Sequence, residues 1–391
     1  MIPHLFKLIW NKKKQNFLMI TEIFVSFLVM FAVFTLLVYY YNNYRRPHGF
    51  DFENVWAVSY SNAVKPVSAD SVSDYMETVR QTIKAVNGVE DVSYTSGNIP
   101  FSFNTFNTSV EYNKKSTYAN VYDVENNYAS VFNMQVLEGR WFNNTDIPGK
   151  VTPVVINQQL KEFLFGNESP IGKVIGGENN QQKVVGVITD MKFNGDYEET
   201  DKGLFRKMDT GALKWNNTML IKVDPGATAA FEAQLFKVMN NVLKNANIEI
   251  EHMTRKRDRK NSLSLVSMIV LTIVGGFLII NVALGLFGVL WYNINKRRGE
   301  IGLRRAVGAS GASISKQLVG EALVLATLAL VLGSFFAVQF PLLHVFDLPS
   351  SVYLVALGLA VVFIYILVVI CALYPGRQAA KIYPAVALHE D

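Results

Sequence analysis

Four long apolar runs alternate with polar stretches along this chain of 391 residues. They cover residues 17–41, 263–292, 317–340 and 352–373. A helix needs about 20 mostly apolar residues to cross a hydrocarbon core of about 30 Å, so each run is long enough to span a membrane. The second run exceeds that length, and we expect its outer end to project from the membrane as a stalk.

Residues 42–262, between the first two runs, have the mixed composition of a folded domain with its own core. The segments VWAVSY and VEDVSY flank apolar positions at helical spacing, and TMLIKV and NIEIEH flank a second such set. Two strand-helix-strand units predict a split α+β sandwich of ferredoxin-like type. Residues 123–213, between the units, carry more strand and turn signals and predict a β-rich insert.

Basic residues indicate on which side of the membrane each polar segment lies. Half of the chain is apolar and 18% is charged, so the charges must be segregated from the apolar runs. Lysine and arginine occur in residues 1–16, in the loop 293–316 and in the tail 374–391, whereas the loop 341–351 has none. The first three segments are therefore predicted to be cytoplasmic, with both termini, and the large domain external. Residues 1–16 also have the pattern of an amphipathic helix in the headgroup plane.

The loop between the second and third runs, NINKRRGEIGLRRAVGASGAS, combines basic and apolar residues in a helical pattern. Gly308 is placed to end this helix in the left-handed conformation, and Ser310 or Ser313 to cap the next helix. The alternative interpretation is a solvated basic loop that only obeys the positive-inside rule. The apolar positions that would form one side of the helix are Ile301, Leu303, Ala306 and Val307.

This loop resembles the segment REIGIRRALGAS that follows the second span in permeases of the MacB and FtsX type. In that family the segment is the coupling helix that docks into a cytoplasmic ATPase, and the resemblance implies the same role here. The residues that would carry the role are Glu300, Ile301, Gly302, Leu303, Arg304, Arg305, Val307 and Gly308. The closing segment YPGRQAAKIYPAVAL resembles the family ending PARRAARLDPVEAL, with a shared motif at Pro375, Arg377, Pro384 and Leu388.

The large domain carries a further resemblance to the same family. LEGRWFNNTD, VVINQQLKEFLFGNESPIGKVI and QKVVGVITDMKF look like the external domain of MacB-type proteins, in which a porter-type subdomain is interrupted by a β-rich one. We therefore expect an α+β membrane protein. Four transmembrane helices would carry a ferredoxin-like, interrupted domain between the first and the second.

The resemblance implies a permease subunit of an ATP-binding-cassette (ABC) transporter in the inner membrane. Such a subunit couples ATP hydrolysis by a separate ATPase to movement of its external domain, and exports or extracts an antimicrobial, peptide, toxin or lipoprotein. The implied partners are the cytoplasmic ATPase, a second permease chain and membrane lipids, and a periplasmic adaptor is allowed; no nucleic acid is expected. The alternatives are an FtsX-like signalling relay that regulates cell-envelope enzymes and a stand-alone membrane receptor.

The sequence offers no candidate catalytic, cofactor-binding or metal site. GNESPIGK from Gly166 resembles a phosphate loop, but it has one residue too many between its glycines, and Val174 stands where a hydroxyl is required. We therefore expect no ATPase activity from the chain itself, with ATP acting only through the partner. The five histidines show no zinc spacing, and Cys371 is the single cysteine, which excludes an internal disulfide.

Two acidic residues lie within the apolar runs. Glu22 and Glu321 are each about one turn from the predicted cytoplasmic end of a span, and we expect each to pair with a nearby lysine or arginine rather than to line a proton path. The third run also carries small residues at intervals of three or four, which favours close packing inside the bundle over a dimer contact. They are Ala322, Ala326, Ala329, Gly333 and Ala337.

Overall fold

The computed structural model describes residues 13–380, apart from residues 62, 65, 67, 178, 179 and 210. The chain forms two compact units. The helical unit comprises Met1–Asn42 and Leu265–Asp391, and the α/β domain comprises Asn43–Ser264.

The elements follow one another in the chain as α1 (Lys13–Tyr44), β1 (Val55–Ser61), α2 (Ala69–Lys84), β2 (Val89–Thr95), β3 (Asn107–Tyr112), β4 (Lys115–Val124), α3 (Tyr128–Val131), β5 (Val136–Gly139), β6 (Val151–Asn157), α4 (Gln158–Phe165), β7 (Val174–Ile175), β8 (Gln181–Ile188), β9 (Gly203–Lys207), β10 (Thr218–Val223), α5 (Ala229–Val242), β11 (Asn247–His252), α6 (Met253–Lys296), α7 (Arg298–Ala306), α8 (Gly311–Leu342) and α9 (Ser350–Ala379). Short 3-10 helices cover Ala212–Lys214 and Val345–Asp347.

Within the described residues, four helices are long and apolar enough to cross a membrane. These segments are Phe17–Tyr44, Met253–Lys296, Gly311–Leu342 and Ser350–Ala379. The second has 44 residues and is therefore about 66 Å long, more than twice the thickness of a hydrocarbon core. Most of the predicted amphipathic segment, residues 1–12, lies outside the described residues, and residues 13–16 form the start of α1.

The small-residue stripe of α8 packs inside the helical unit, as predicted. Ala326 and Ala329 are fully buried, and a Cβ added to Gly333 would lie 2.4 Å from Cδ1 of Phe27 on α1. The missing side chain at Gly333 therefore lets α1 and α8 approach closely.

The other acidic residue of the apolar runs, Glu22, lies on α1 and faces α6. Its carboxylate lies against Gly285 of α6, where an added Cβ would collide with it. The lysines that precede it on the chain, at residues 12–14, have side chains outside the described part of the structure, so the expected ion pair of Glu22 stays a prediction.

The α/β domain is built on an 11-stranded sheet in the order β11-β1-β10-β2-β4-β9-β6-β8-β5, with β3 paired to β4 and β7 to β8. The strands β11, β1, β10 and β2 are antiparallel neighbours, so β1 and β2 run parallel with β10 between them. This is the split strand-helix-strand arrangement that the sequence predicts. Helices α2 and α5 pack against it, with Val72, Met76, Val79 and Ile83 of α2 fully buried.

The β-rich part begins earlier than predicted. The expected boundary is residue 123, but the hairpin of β3 and β4 already belongs to this part, because Val110 and Ala119 pack in one cluster with Val154 of β6 and Leu160 of α4. The hairpin's partners lie far along the chain, so its local pattern gives no sign of where it packs. β4 meets the ferredoxin-like part at a single pair, Thr95 with Val124.

Candidate functional site

The loop between the second and third spanning helices forms the short helix α7, which has capped ends. Gly308 has a φ of +100° after the helix end, and its N–H donates to the Arg305 carbonyl at 3.1 Å. Only glycine adopts that conformation at low cost. Ser310 Oγ accepts from the Ser313 N–H at 3.2 Å and caps α8. The predicted helix end and cap are thus confirmed, with Ser310 as the capping residue.

The apolar residues of α7 divide between two faces, which corrects the expectation of a single apolar side. Ile301 is 4% exposed and packs in a cluster with Ile294, Ile314 and Ala379. Leu303 is 57% exposed and Val307 is 83% exposed. Positions two apart lie about 200° from each other around a helix, so Ile301 and Leu303 point in nearly opposite directions. One face of α7 is therefore fixed to its own unit, and the other carries exposed apolar side chains.

Polar side chains form a ring that ties α7, and Arg297 just before it, to α8. Arg297 donates to Glu321 Oε2 at 2.6 Å and to Glu300 Oε2 at 3.1 Å. Arg304 donates to Glu300 Oε1 at 2.5 Å and to Gln317 Oε1 at 2.7 Å. Gln317 in turn donates to Glu321 Oε1 at 3.0 Å. The predicted pairing of Glu321 with a basic residue is confirmed.

Arg297 is the most enclosed cation of this ring, with a side chain 13% exposed. Burial by itself would lower the pKa of its guanidinium, but the hydrogen bonds and charges of Glu300 and Glu321 outweigh burial and raise that pKa. Arg297 therefore stays charged at neutral pH, where it donates to Glu300 and Glu321.

The end of α9 lies against the start of α8, which places part of the C-terminal motif next to the loop. Pro375 and Gly376 are buried, and a Cβ added to Gly376 would lie 2.9 Å from Ser315 Oγ. Arg377 is exposed. Pro384 and Leu388 lie outside the described residues.

Sequence reasoning missed Gln317 as a member of this site. A glutamine at the edge of an apolar run gives no signal of its own, and only the folded ring shows that it links Arg304 to Glu321. Across the residues that the structure describes, no group of three or more His, Cys, Asp or Glu side chains is placed to hold a metal ion.

Four helices long and apolar enough to cross a membrane, with an interrupted α/β domain between the first and the second, fit a multi-pass membrane protein. The chain belongs to the family of the MacB-like periplasmic core domain, whose model matches residues 17–237. Residues 268–384 match the FtsX-like permease C-terminal model. It is thus an ABC transporter permease of the MacB and FtsX type, as the resemblance indicated.

Relatives of this chain include export proteins of two kinds. It is 24% identical over 345 residues to the macrolide export ATP-binding/permease protein MacB of Bartonella henselae, covering 85% of this chain and 52% of that protein. It is 24% identical over 286 residues to the pyoverdine export ATP-binding/permease protein PvdT of Pseudomonas syringae pv. syringae, covering 68% and 42%. The chain thus spans about half the length of these relatives.

Among solved structures, the periplasmic region of MacB from Actinobacillus actinomycetemcomitans is similar to this chain at 15% identity and a TM-score of 0.38. The match covers 55% of this chain and 94% of that one.

Proposed function

We propose that this chain is a transporter subunit that docks α7 into a cytoplasmic ABC ATPase and passes ATP-driven movement to its α/β domain on the outer side of the inner membrane. Both termini would be cytoplasmic, and ATP would act only through the ATPase. The observation that carries the proposal is the outward face of α7, where Leu303 and Val307 are exposed one turn apart.

Two properties of α7 suit a docking element. Its inward face is held by Ile301 and by the ring that includes Arg297 and Glu321, so a push on the helix reaches α6 and α8 instead of only bending the loop. Its outward face offers apolar area on a helix that is otherwise strongly polar. Single exposed apolar side chains are ordinary, but Leu303 and Val307, the residue that directly follows the nine-residue helix, lie one turn apart and form a small hydrophobic contact surface.

The coupling set we propose comprises Glu300, Ile301, Gly302, Leu303, Arg304, Arg305, Val307 and Gly308. Ile301, Arg304 and Glu300 hold the helix, and Leu303 and Val307 make the contact. The packed end of α9 at Pro375 supports the start of α8. The relatives named for export of a macrolide and of pyoverdine favour export over a signalling relay of the FtsX type or a receptor. A second permease chain, lipids and a periplasmic adaptor are the further partners proposed.

The test measures the binding of variants of this chain to its cognate cytoplasmic ABC ATPase. Leu303→Glu and Val307→Glu place a charge in the proposed contact and remove apolar side chains worth about 1.5–3 kcal/mol each when fully buried, or about 10- to 150-fold in Kd. Ala312→Glu adds the same charge at an exposed position in the first turn of α8 and should bind as the parent does.

Ile301→Glu serves as the contrast, because it puts a charge into the packed cluster and should lower the stability of the helical unit itself. If Leu303→Glu and Val307→Glu both bind the ATPase and support its activity like the parent chain, α7 is not the coupling element. The receptor hypothesis, with a loop that contacts only lipid, would then replace the proposal.

A further inference from the structure

A buried lysine lies in the loop between β8 and β9, residues 189–202, which we call the β8–β9 loop. Lys192 is 1% exposed, and its Nζ donates to the carbonyls of Asn43 and Asp196 at 2.6 Å each and to that of Arg46 at 3.4 Å. Lysine is almost never fully buried unless its charge is satisfied. Here three carbonyl oxygens take the three N–H bonds of the ammonium group.

Two of those carbonyls belong to the end of α1. Asn43 lies in its last turn, and Arg46 follows two residues after the helix. The last carbonyls of a helix have no partner within it and carry partial negative charge, so a cation is favourable there. The same helix end is held by Asn43 Nδ2, which donates to the Tyr197 carbonyl at 3.1 Å, and by stacking of Tyr44 on Tyr197 with ring centroids 5.7 Å apart.

The other side of the loop holds the start of α6. Asn261 is 8% exposed, and its Oδ1 accepts from the Asp196 N–H at 2.9 Å. Gly195 makes this approach possible, because it has a φ of +105° and an added Cβ would lie 2.6 Å from Asn261 Oδ1. Ser264 of α6 donates to Glu198 at 3.2 Å.

A third contact fixes the loop in the core of the α/β domain. Phe193 is 6% exposed and meets Phe50 and Tyr122 edge to face, with ring centroids 5.3 and 4.5 Å apart. Neighbouring residues of one loop therefore reach α1, α6 and the domain core. A loop that only closed on itself would need neither the bonds of Lys192 to the end of α1 nor the bonds of Asp196 and Glu198 to α6.

We propose that the β8–β9 loop is a clasp that fastens the end of α1 to the start of α6 and to the core of the α/β domain, with Lys192 and Asn261 as its positioning residues. The two helices are the connections of this domain to the spanning segments, so the clasp makes them move together with the domain. The role of the clasp in transmitting ATP-driven movement rests on the proposed function. Its existence as a structural link does not depend on that function.

The experiment measures amide hydrogen exchange of the purified full chain, without ATPase, in peptides that cover the end of α1, the β8–β9 loop and the start of α6. Asn261→Ala makes no direct change at α1, yet the clasp predicts exchange about tenfold faster at residues 40–46 as well as in the loop. Lys192→Met keeps the length of the side chain and should speed exchange at residues 255–262 by a similar factor. Lys183→Met, at an exposed position on β8, is the control and should leave both helix ends unchanged.

Exchange that rises only around the mutated residue, with the opposite helix end unchanged, would overturn the clasp. If Lys192→Met also loses protection in β1 and β10, it has unfolded the domain, and Asn261→Ala alone decides the question. In a complex with the ATPase, the Asn261→Ala variant should export less substrate for each ATP hydrolysed than the parent chain does. If Asn261→Ala exports as much as the parent chain while exchange at the end of α1 is faster, the clasp exists but does not contribute to coupling.

Discussion

Nη1 of Arg297 lies 2.6 Å from Oε2 of Glu321, which joins the residue after α6 to the first half of α8. Both side chains are less than a fifth exposed. A charged pair at this depth is costly to break, because the remaining partner would keep its charge with fewer compensating contacts. The pair therefore fixes the geometry from which α7 projects.

Glu321→Gln tests the importance of this pair while keeping the shape of the side chain. We expect it to lower the free energy of unfolding of the helical unit by about 1–3 kcal/mol, since a buried guanidinium loses its charged acceptor. Glu300→Gln should cost less than about 1 kcal/mol, because Glu300 is 39% exposed and water can replace its contacts. Thermal unfolding of the purified chain measures both. An equal or larger loss for Glu300→Gln would contradict this ranking.

The elements of the fold that depend on local patterns were predictable from the sequence. The strands flanking α2 and α5, the end of α7 at Gly308 and the cap at Ser310 all follow from neighbouring residues. The burial of small residues on α8 was also predictable, because their spacing on a helix defines a face whatever the partner is.

What the sequence could not provide is the direction in which a side chain meets a distant partner. Ile301 and Leu303 look equivalent in the sequence, and only packing against Ile314 distinguishes the inner from the outer face. The burial of Lys192 depends on the end of α1, almost 150 positions away in the chain.

The close approach of α8 to α1 at Gly333 predicts different results for two glycines of the same helix. Gly333→Ala should destabilise the helical unit by about 1–3 kcal/mol, because its Cβ would collide with the Phe27 ring. Gly320→Ala meets nothing within 4 Å and should be neutral or stabilising, within about 1 kcal/mol. Thermal unfolding in detergent compares the two. Equal melting points would show that α8 does not pack on α1 at Gly333.

Asp91 gives the α/β domain a defined sensitivity to acid. Its carboxylate accepts from Lys84 Nζ, the Val92 N–H and Asn127 Nδ2 at 3.0 Å each, and from Ser130 Oγ at 2.5 Å. Burial by itself would raise the pKa of Asp91, but the hydrogen bonds from Ser130, Lys84 and Val92 outweigh it and hold that pKa below its ordinary value of 3.8.

Because the pKa in the folded state is the lower one, Asp91 stabilises the fold fully above pH 3.8, and this contribution is lost as the pH falls through the folded-state value. Asp91→Asn should therefore cost about 1 kcal/mol near neutral pH and nearly nothing in strong acid. Unfolding followed by tryptophan fluorescence across this pH range measures the difference, with Asp224→Asn at an exposed turn as the control. A constant gap between Asp91→Asn and the parent chain at all pH values would show that the carboxylate is not responsible.

The proposed orientation in the membrane can be tested with single cysteines in a Cys371→Ser background, since Cys371 is buried. Trp215→Cys and Tyr118→Cys lie at positions that are 78% and 73% exposed in the α/β domain, and both should react with an impermeant maleimide on intact cells. Val307→Cys, at an 83% exposed position directly after α7, should react only after the membrane is opened, because the basic residues around it favour the cytoplasm. Added ATPase should then protect it, as α7 would be covered. Labelling of Val307→Cys on intact cells, together with protection of the two domain positions, would reverse the orientation and place α7 out of reach of any cytoplasmic ATPase.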